Sequence, residues 1–400
     1  MQSTWSRRRF LTSAAALCAA PALPAGGAPC LLLSAGEAQR IRDAVSHDSA
    51  RAAILRHNAD AALTAGPWSV TFHRPGYVKA DLHEYYSEGP YWWPDPNNPG
   101  GPYIRKDGER NPNRYTHNRK DLGDMSEAVL ALGMGARFLA DSRYADRAAK
   151  VLAVWFLDPK TRMNPDLEFG QAVRGVNTGR GTGLIDTVAL IHLAQGIALL
   201  QDAGMFDQTI AAGMRRWYAD FVRWMTTSKK GLDEKKAQNN HATWWTAQVA
   251  AYATFTNDVA LKSMAWERYR TYLVPTEVRP DGSCPREEAR TKSLGYSSMN
   301  LDGFSVLCRL GQMDGQDLWH FRTPDKISIE KSFSYLLPYV LNPKDWHKPQ
   351  IAPYEADSVV FPGLAGLGLH SNKLLAAYRK LPRATAPWVQ FTDLIVAVGV

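Results

Sequence analysis

Cysteine is scarce in this chain: four residues in 400, with no Cys-x-x-Cys pair. That excludes a thiolate zinc site and a disulfide-stapled scaffold. No His-x-x-x-His pair suggests a histidine metal site either. There is no run of Lys or Arg and no recognisable DNA-reading module, so a nucleic-acid partner is not expected. Pro (24) and Gly (30) stand near average frequency, so no long low-complexity linker divides the chain. After the first thirty residues no stretch of 18 apolar residues occurs, so no stable membrane anchor is expected. Alternating strands are also missing. What is present is 45% apolar residues, enough for a large core, and a heavy load of 13 Trp and 16 Tyr. Such rings can fill a core or line a sugar-binding cleft.

The N-terminus reads as a targeting segment. Arg7, Arg8 and Arg9 precede Phe10-Leu11 and a small-residue apolar run to about Ala22. This pattern predicts a twin-arginine-type export signal over residues 1–28, followed by one domain over 29–400. Periplasmic or secreted action follows from it. The formal charge of +8 loses three arginines with the signal and falls to +5, a balance that favours an anionic polymer. In an oxidising compartment Cys284 and Cys308 could pair; free, half-buried thiols are the equal alternative.

From Asp124 onward the periodicity is helical. Leu190, Leu193, Ile197 and Leu200 form one apolar stripe, and similar stripes predict helices over 125–141, 144–156, 207–226, 242–255, 258–272, 297–311, 329–341 and 386–397. Turn signals such as Pro280-Asp281-Gly282 and Asn342-Pro343 separate them. Many helical hairpins without a fixed repeat predict an all-α toroid of six to seven hairpins rather than a solenoid. Residues 66–120 are instead rich in Pro, Gly, Asn and aromatics. A loop region of that length is expected to be an ordered lid or cleft wall.

Four segments carry candidate chemistry. Tyr85 to Pro96 packs five rings into nine residues and stiffens them with three prolines. Tyr86, Tyr91, Trp92 and Trp93 are its candidate sugar-stacking rings. Asn239-Asn240-His241, followed by Trp244, sits at the start of a predicted helix, where one Asn can cap and the N-terminus attracts an anion. Arg286, Arg290 and Lys292 concentrate positive charge around Tyr296, which should lower the phenol's pKa. Arg174 to Gly183 holds four glycines and Arg180, a good carboxylate fork. It lacks the Gly-Lys-Ser/Thr ending of a nucleotide-binding loop. Glu234 lies seven residues before His241 and shares its face if helix continues between them. It is a candidate to meet the substrate, with a solvated charge as the plainer alternative.

Taken together, these blocks resemble the alginate lyase superfamily of bacterial polysaccharide lyases over roughly residues 70–345. Tyr-Trp-Trp-Pro-Asp-Pro, Pro102-Tyr103 to Pro112, Trp155 to Asp158, Gly179-Arg180, Asn240-His241 and Arg290 to Tyr296 carry the likeness. The last spacing is similar to the branch with glucuronan- and alginate-cleaving members. The resemblance implies an incomplete (α/α) barrel, no metal or other cofactor, and an anionic polysaccharide as substrate. It also implies Tyr296 as base and acid, His241 as second base or neutraliser, and Asn240 and Arg290 as neutralisers of the uronate carboxylate. Two other readings stand beside it: a toroidal glycoside hydrolase using acids such as Asp121, Asp124, Glu127 or Asp186, and an inactive carbohydrate-binding protein.

Overall fold

The computed structural model describes residues 30–399. The export signal expected over 1–28 lies outside these residues. The chain begins with helices α1 (Ala35–His47) and α2 (Ser49–Thr64), then three short strands, β1 (Tyr86–Glu88), β2 (Trp92–Trp93) and β3 (Ile104–Arg105). Helices α3 (His117–Leu139) and α4 (Ser142–Leu152) precede strand β4 (Phe169–Ala172). Next come α5 (Ala189–Asp202), α6 (Gln208–Thr227), α7 (Lys229–Lys235), α8 (Asn240–Thr256) and α9 (Val259–Arg268). After the short α10 (Val274–Glu277) and α11 (Pro285–Glu288) follow α12 (Ser293–Met313) and α13 (Ile329–Leu341). The last three are α14 (Phe361–Gly368), α15 (Asn372–Tyr378) and α16 (Pro387–Val398).

The architecture is an α/α toroid, as expected. Neighbouring helices run α3, α5, α8, α12, α14 and α16, and α16 returns to α3. Burial explains which helices form this ring. From Ala242 to Ala253 every residue of α8 is buried, and α14 is buried along its whole length. A helix that is apolar all round has no face for solvent and must sit inside. More amphipathic helices such as α4, α6 and α13 pack outside it. Two of the outer segments extend as π-type turns, Ala153–Leu157 after α4 and Tyr269–Leu273 after α9.

Every predicted helix is present within a few residues, apart from α3, which starts eight residues earlier than its stripe. Helices α1, α2, α7, α14 and α15, and the one-turn α10 and α11, fall outside the predicted stripes. The stripe of α2 is only Leu55, Ala59 and Ala62, too thin to stand out. Phe-Pro-Gly-Leu-Ala-Gly-Leu-Gly in α14 has no polar face to mark a period.

The 66–120 region is ordered. Strand β1 pairs in parallel with β4, and β2 pairs antiparallel with β3, Trp92 opposite Arg105. Cys30, Cys284 and Cys308 are free and buried, so the expected alternative of a Cys284–Cys308 bridge is corrected. Cys308 directs its sulfur at the Tyr269 hydroxyl, 3.5 Å away, while Cys284 stands at the start of α11.

Helices α3 and α5 approach closely because each offers glycine at the crossing. A Cβ on Gly196 would fall 2.7 Å from the Val129 carbonyl oxygen, and one on Gly133 2.4 Å from that of Gly196. Gly196→Ala should therefore destabilise the protein by about 1–3 kcal/mol through overpacking. A drop in Tm on thermal melting checks this, and an unchanged Tm would refute it.

Candidate active site

A cleft of about 380 Å³ opens between the aromatic loop wall and the N-terminal ends of α8 and α12. Tyr91, Trp92, Arg180, Asn239, Asn240, His241, Arg290 and Tyr296 all line it. Eight of the thirteen expected site residues thus converge from four distant segments. An outer groove between α2 and α16 is larger, about 470 Å³, but it is mainly aliphatic, and Arg51 and Arg383 there pair with Asp48 and Asp393.

Tyr296 projects from the first turn of α12. Its hydroxyl lies 2.5 Å from the Tyr91 hydroxyl, and the Arg290 guanidinium lies 3.8 Å from its ring centroid. Burial and the Tyr91 contact push the Tyr296 phenol well above its ordinary value, with Arg290 opposing them. The expected lowering by nearby cations is therefore corrected. Among the described residues only Arg290 stands over the ring, and that cation is itself paired. Asp107 takes hydrogen bonds from Arg290 Nε (3.1 Å) and Nη2 (2.7 Å) and from the Thr291 hydroxyl (3.1 Å). Burial works against the Asp107 charge, but Arg290, Arg105 and Thr291 hold its carboxyl well below the usual range.

Helix α8 starts at Asn240. Asn239 is its N-cap in an extended conformation, without a side-chain capping bond. Asn240 is anchored from behind: its backbone N–H donates to Glu287 Oε1 (2.5 Å), and its Nδ2 lies 2.8 and 2.9 Å from the two Glu287 oxygens. Both residues are only 1% exposed. The amide nitrogen expected to meet the substrate is thus held by Glu287. His241 donates from Nδ1 to Glu234 Oε1 at 2.5 Å. Glu234 is 2% exposed and does not line the cleft, which corrects both expectations for it, substrate contact and solvated charge. Helix does not continue between them, since α7 ends at Lys235 and α8 begins at Asn240. The turn between brings the two side chains together.

Arg180 is fixed by Gln171, which accepts from its Nε (2.9 Å) and Nη2 (3.0 Å), and its guanidinium lies 5.7 Å from the Trp92 ring centroid. Gln171 holds a left-handed backbone, φ 48°, a conformation that non-glycine residues adopt at a cost. Its amide in turn donates to the buried Asp186, which also receives Arg119, Ser87 and Tyr85.

Four expected substrate contacts lie away from the cleft. Tyr86 is buried and donates to Glu88 (2.9 Å). Trp93 donates to the Glu109 carbonyl (2.9 Å) under Lys106. Trp244 is buried against Met299, its indole N–H on that carbonyl (3.1 Å). Lys292 bridges through its backbone to Gln350, beyond the cleft lining. For Tyr86, Trp93 and Trp244 the strand pleat or helix turn directs the ring to those partners. Conversely, Arg105, Arg110, Arg114 and Arg119 line the cleft unforeseen. Their four- to five-residue spacing through the loop region was the available signal. Among the described residues no group of three or more His, Cys, Asp or Glu side chains is placed to hold a metal.

An α/α toroid whose cleft joins a tyrosine, a histidine and a bank of arginines is a polysaccharide lyase architecture. The chain belongs to the alginate lyase family: the family model for alginate lyase matches residues 72–346. Among solved structures, it is similar to an alginate lyase from Bacteroides ovatus, with 32% identity, a TM-score of 0.85, and 93% of this chain and 99% of that one covered. It shares the fold of alginate lyase A1-III from Sphingomonas species A1, with 14% identity, a TM-score of 0.54, and 92% and 97% covered. No curated protein matches it.

Asp107 ties the loop wall to the Arg290–Tyr296 segment. Asp107→Ala leaves Arg290 and Thr291 without that partner, a local cost of about 1–3 kcal/mol. Limited proteolysis should then cut within residues 95–113 roughly tenfold faster, with the rest of the chain protected as before. An unchanged cleavage rate would refute the tether.

Proposed function

We propose that the chain cleaves a 4-linked polyuronate, alginate or glucuronan, by β-elimination, leaving a 4,5-unsaturated uronate end. The observation that carries this reading is the meeting of Tyr296, His241 and the arginines in one cleft. Elimination needs three things: the uronate carboxylate neutralised so that C5–H becomes acidic, a base for that proton, and an acid for the departing O4. Cationic donors serve the first by stabilising the developing dianion most.

Tyr296 serves the other two, taking the C5 proton and returning it to O4 when both lie on one face of the sugar. Burial and the Tyr91 hydroxyl favour the protonated phenol. A sugar chain that takes Tyr91's place leaves Arg290, face-on to the ring, as the dominant neighbour, and Arg290 favours the phenolate. His241 and Arg180 meet carboxylates. Asn240, held by Glu287, shapes the floor between them. Trp92, backed by Arg180, offers a ring for a sugar face. The export signal read at residues 6–11 supports action in the periplasm or outside the cell.

A hydrolase would need two free carboxyl groups across the pocket. The acids of the cleft lining are Glu88 and Asp186. Glu88 is paired with Arg174, and Asp186 with Arg119. Asp124 pairs with Lys120, and Glu127 with His192; Asp121 lies outside the cleft lining. A pure binding protein has no use for the Tyr296–Arg290 and His241–Glu234 pairs.

Tyr296→Phe should lower turnover by a factor of about 10²–10⁴ with Tm unchanged. Ultraviolet absorbance of the conjugated product from polymannuronate, polyguluronate and glucuronan measures it. Full activity in that variant would sink the mechanism, and absence of unsaturated product from all three polymers would sink the substrate class.

A further inference from the structure

The glycine-rich segment Arg174 to Gly183 has a use that a carboxylate fork at Arg180 does not explain. A Cβ on Gly181 would fall 2.5 Å from the Lys230 carbonyl oxygen and 3.0 Å from the Glu234 amide nitrogen. Only glycine lets α7 settle this close to the loop. Helix α7 is started by the Ser228 hydroxyl, which accepts from the Gly231 N–H at 3.0 Å. Its penultimate residue is Glu234, and that close seat delivers the Glu234 carboxylate, 2% exposed, to His241 Nδ1 at 2.5 Å.

We propose that Glu234 is a positioning residue that keeps His241 an imidazolium, so that His241 meets the substrate carboxylate as a cation and not as a base. This rests on the lyase reading above. With Nδ1–H engaged by Glu234, the other ring nitrogen, Nε2, is the one left for the cleft that His241 lines. A carboxylate behind the ring stabilises its charged form and fixes its orientation.

The groups around His241 come from three segments: Glu234 on α7, Glu287 on α11, and Arg290 just after α11. Burial favours the neutral ring. The charge and hydrogen bond of Glu234 outweigh it, Glu287 adds to them and Arg290 opposes, so the net direction is upward. The sign follows: a raised value keeps the ring charged to higher pH, and removal of the Glu234 charge lets it lose its proton at lower pH. Tyr296, at the start of the neighbouring α12, remains the base.

The test is Glu234→Gln, which keeps the shape and removes the charge. The His241 ring signals, assigned with His241→Gln, are followed by NMR across pH. Wild type should titrate above the ordinary histidine value of about 6.5. In Glu234→Gln the midpoint should fall by about one unit or more, tenfold in proton affinity. The limb of the kcat/KM profile governed by His241 should move to lower pH by the same amount. Gly181→Ala, which displaces α7 with Glu234 intact, should move the midpoint in the same direction. An unmoved midpoint in Glu234→Gln, or a wild-type value at or below 6.5, overturns the proposal. The NMR titration needs no turnover, so its failure is distinct from a failure of the lyase reading, which shows as absence of unsaturated product.

Discussion

Each reactive group of the cleft leans on a partner behind it, and in three cases that partner is a carboxylate. His241 rests on Glu234, Asn240 on Glu287, and Arg290 on Asp107. The constraint is electrostatic. Donors gathered to stabilise a developing anion repel one another when no anion is present, and a half-buried cleft screens them poorly. The carboxylates behind His241 and Arg290 offset that repulsion, while Glu287 takes the Asn240 amide itself. Each also immobilises its partner before substrate arrives, which is where electrostatic preorganisation takes its effect.

The toroid makes this arrangement possible. Inner helices such as α8 and α12 are buried along most of their length, and their N-terminal ends open into the cleft. Asn240 and His241 begin α8, Tyr296 lies in the first turn of α12, and Glu287 lies in the short α11. Outer elements bring the remaining acids: α7 supplies Glu234, and the loop after β3 supplies Asp107. Helix ends fix the donors, and more peripheral segments carry their counter-charges.

This division explains what could be read in the sequence. Long helices show through their 3.6-residue stripes, and the Asn-Asn-His and Arg290 to Tyr296 segments stand out because such polar clusters interrupt them. Aromatic residues were harder. Trp92 and Trp93 are adjacent on one strand and so point to opposite sides; Trp92 lines the cleft and Trp93 caps the Glu109 carbonyl. Nothing in composition distinguishes them. Asp107, and the role of Glu234 as the partner of His241, were harder to read for a different reason. Their meaning lies in tertiary approach across a helix break and across 183 residues, and a charged residue in a polar stretch reads as solvated until its partner is known.

The arginines of the loop wall complete the argument. Arg105 and Arg119 have acid partners in Asp107 and Asp186. Arg114 instead donates to the Asn111 carbonyl, and Arg180 to Gln171, both neutral groups. Burial, with Arg110 and Arg119 nearby, pulls the Arg114 value downward, and burial with Arg105 does the same for Arg180. Burial is the larger cause in both, and the neighbouring cations add to it. A single small anion relieves one of them. A chain that carries a carboxylate on successive sugars relieves several at once, and each is gained only when that chain lies along the cleft. The chain's formal surplus of +8 thus has a local counterpart: Glu234, Glu287 and Asp107 engage His241, Asn240 and Arg290, while Arg114 and Arg180 rest on neutral groups.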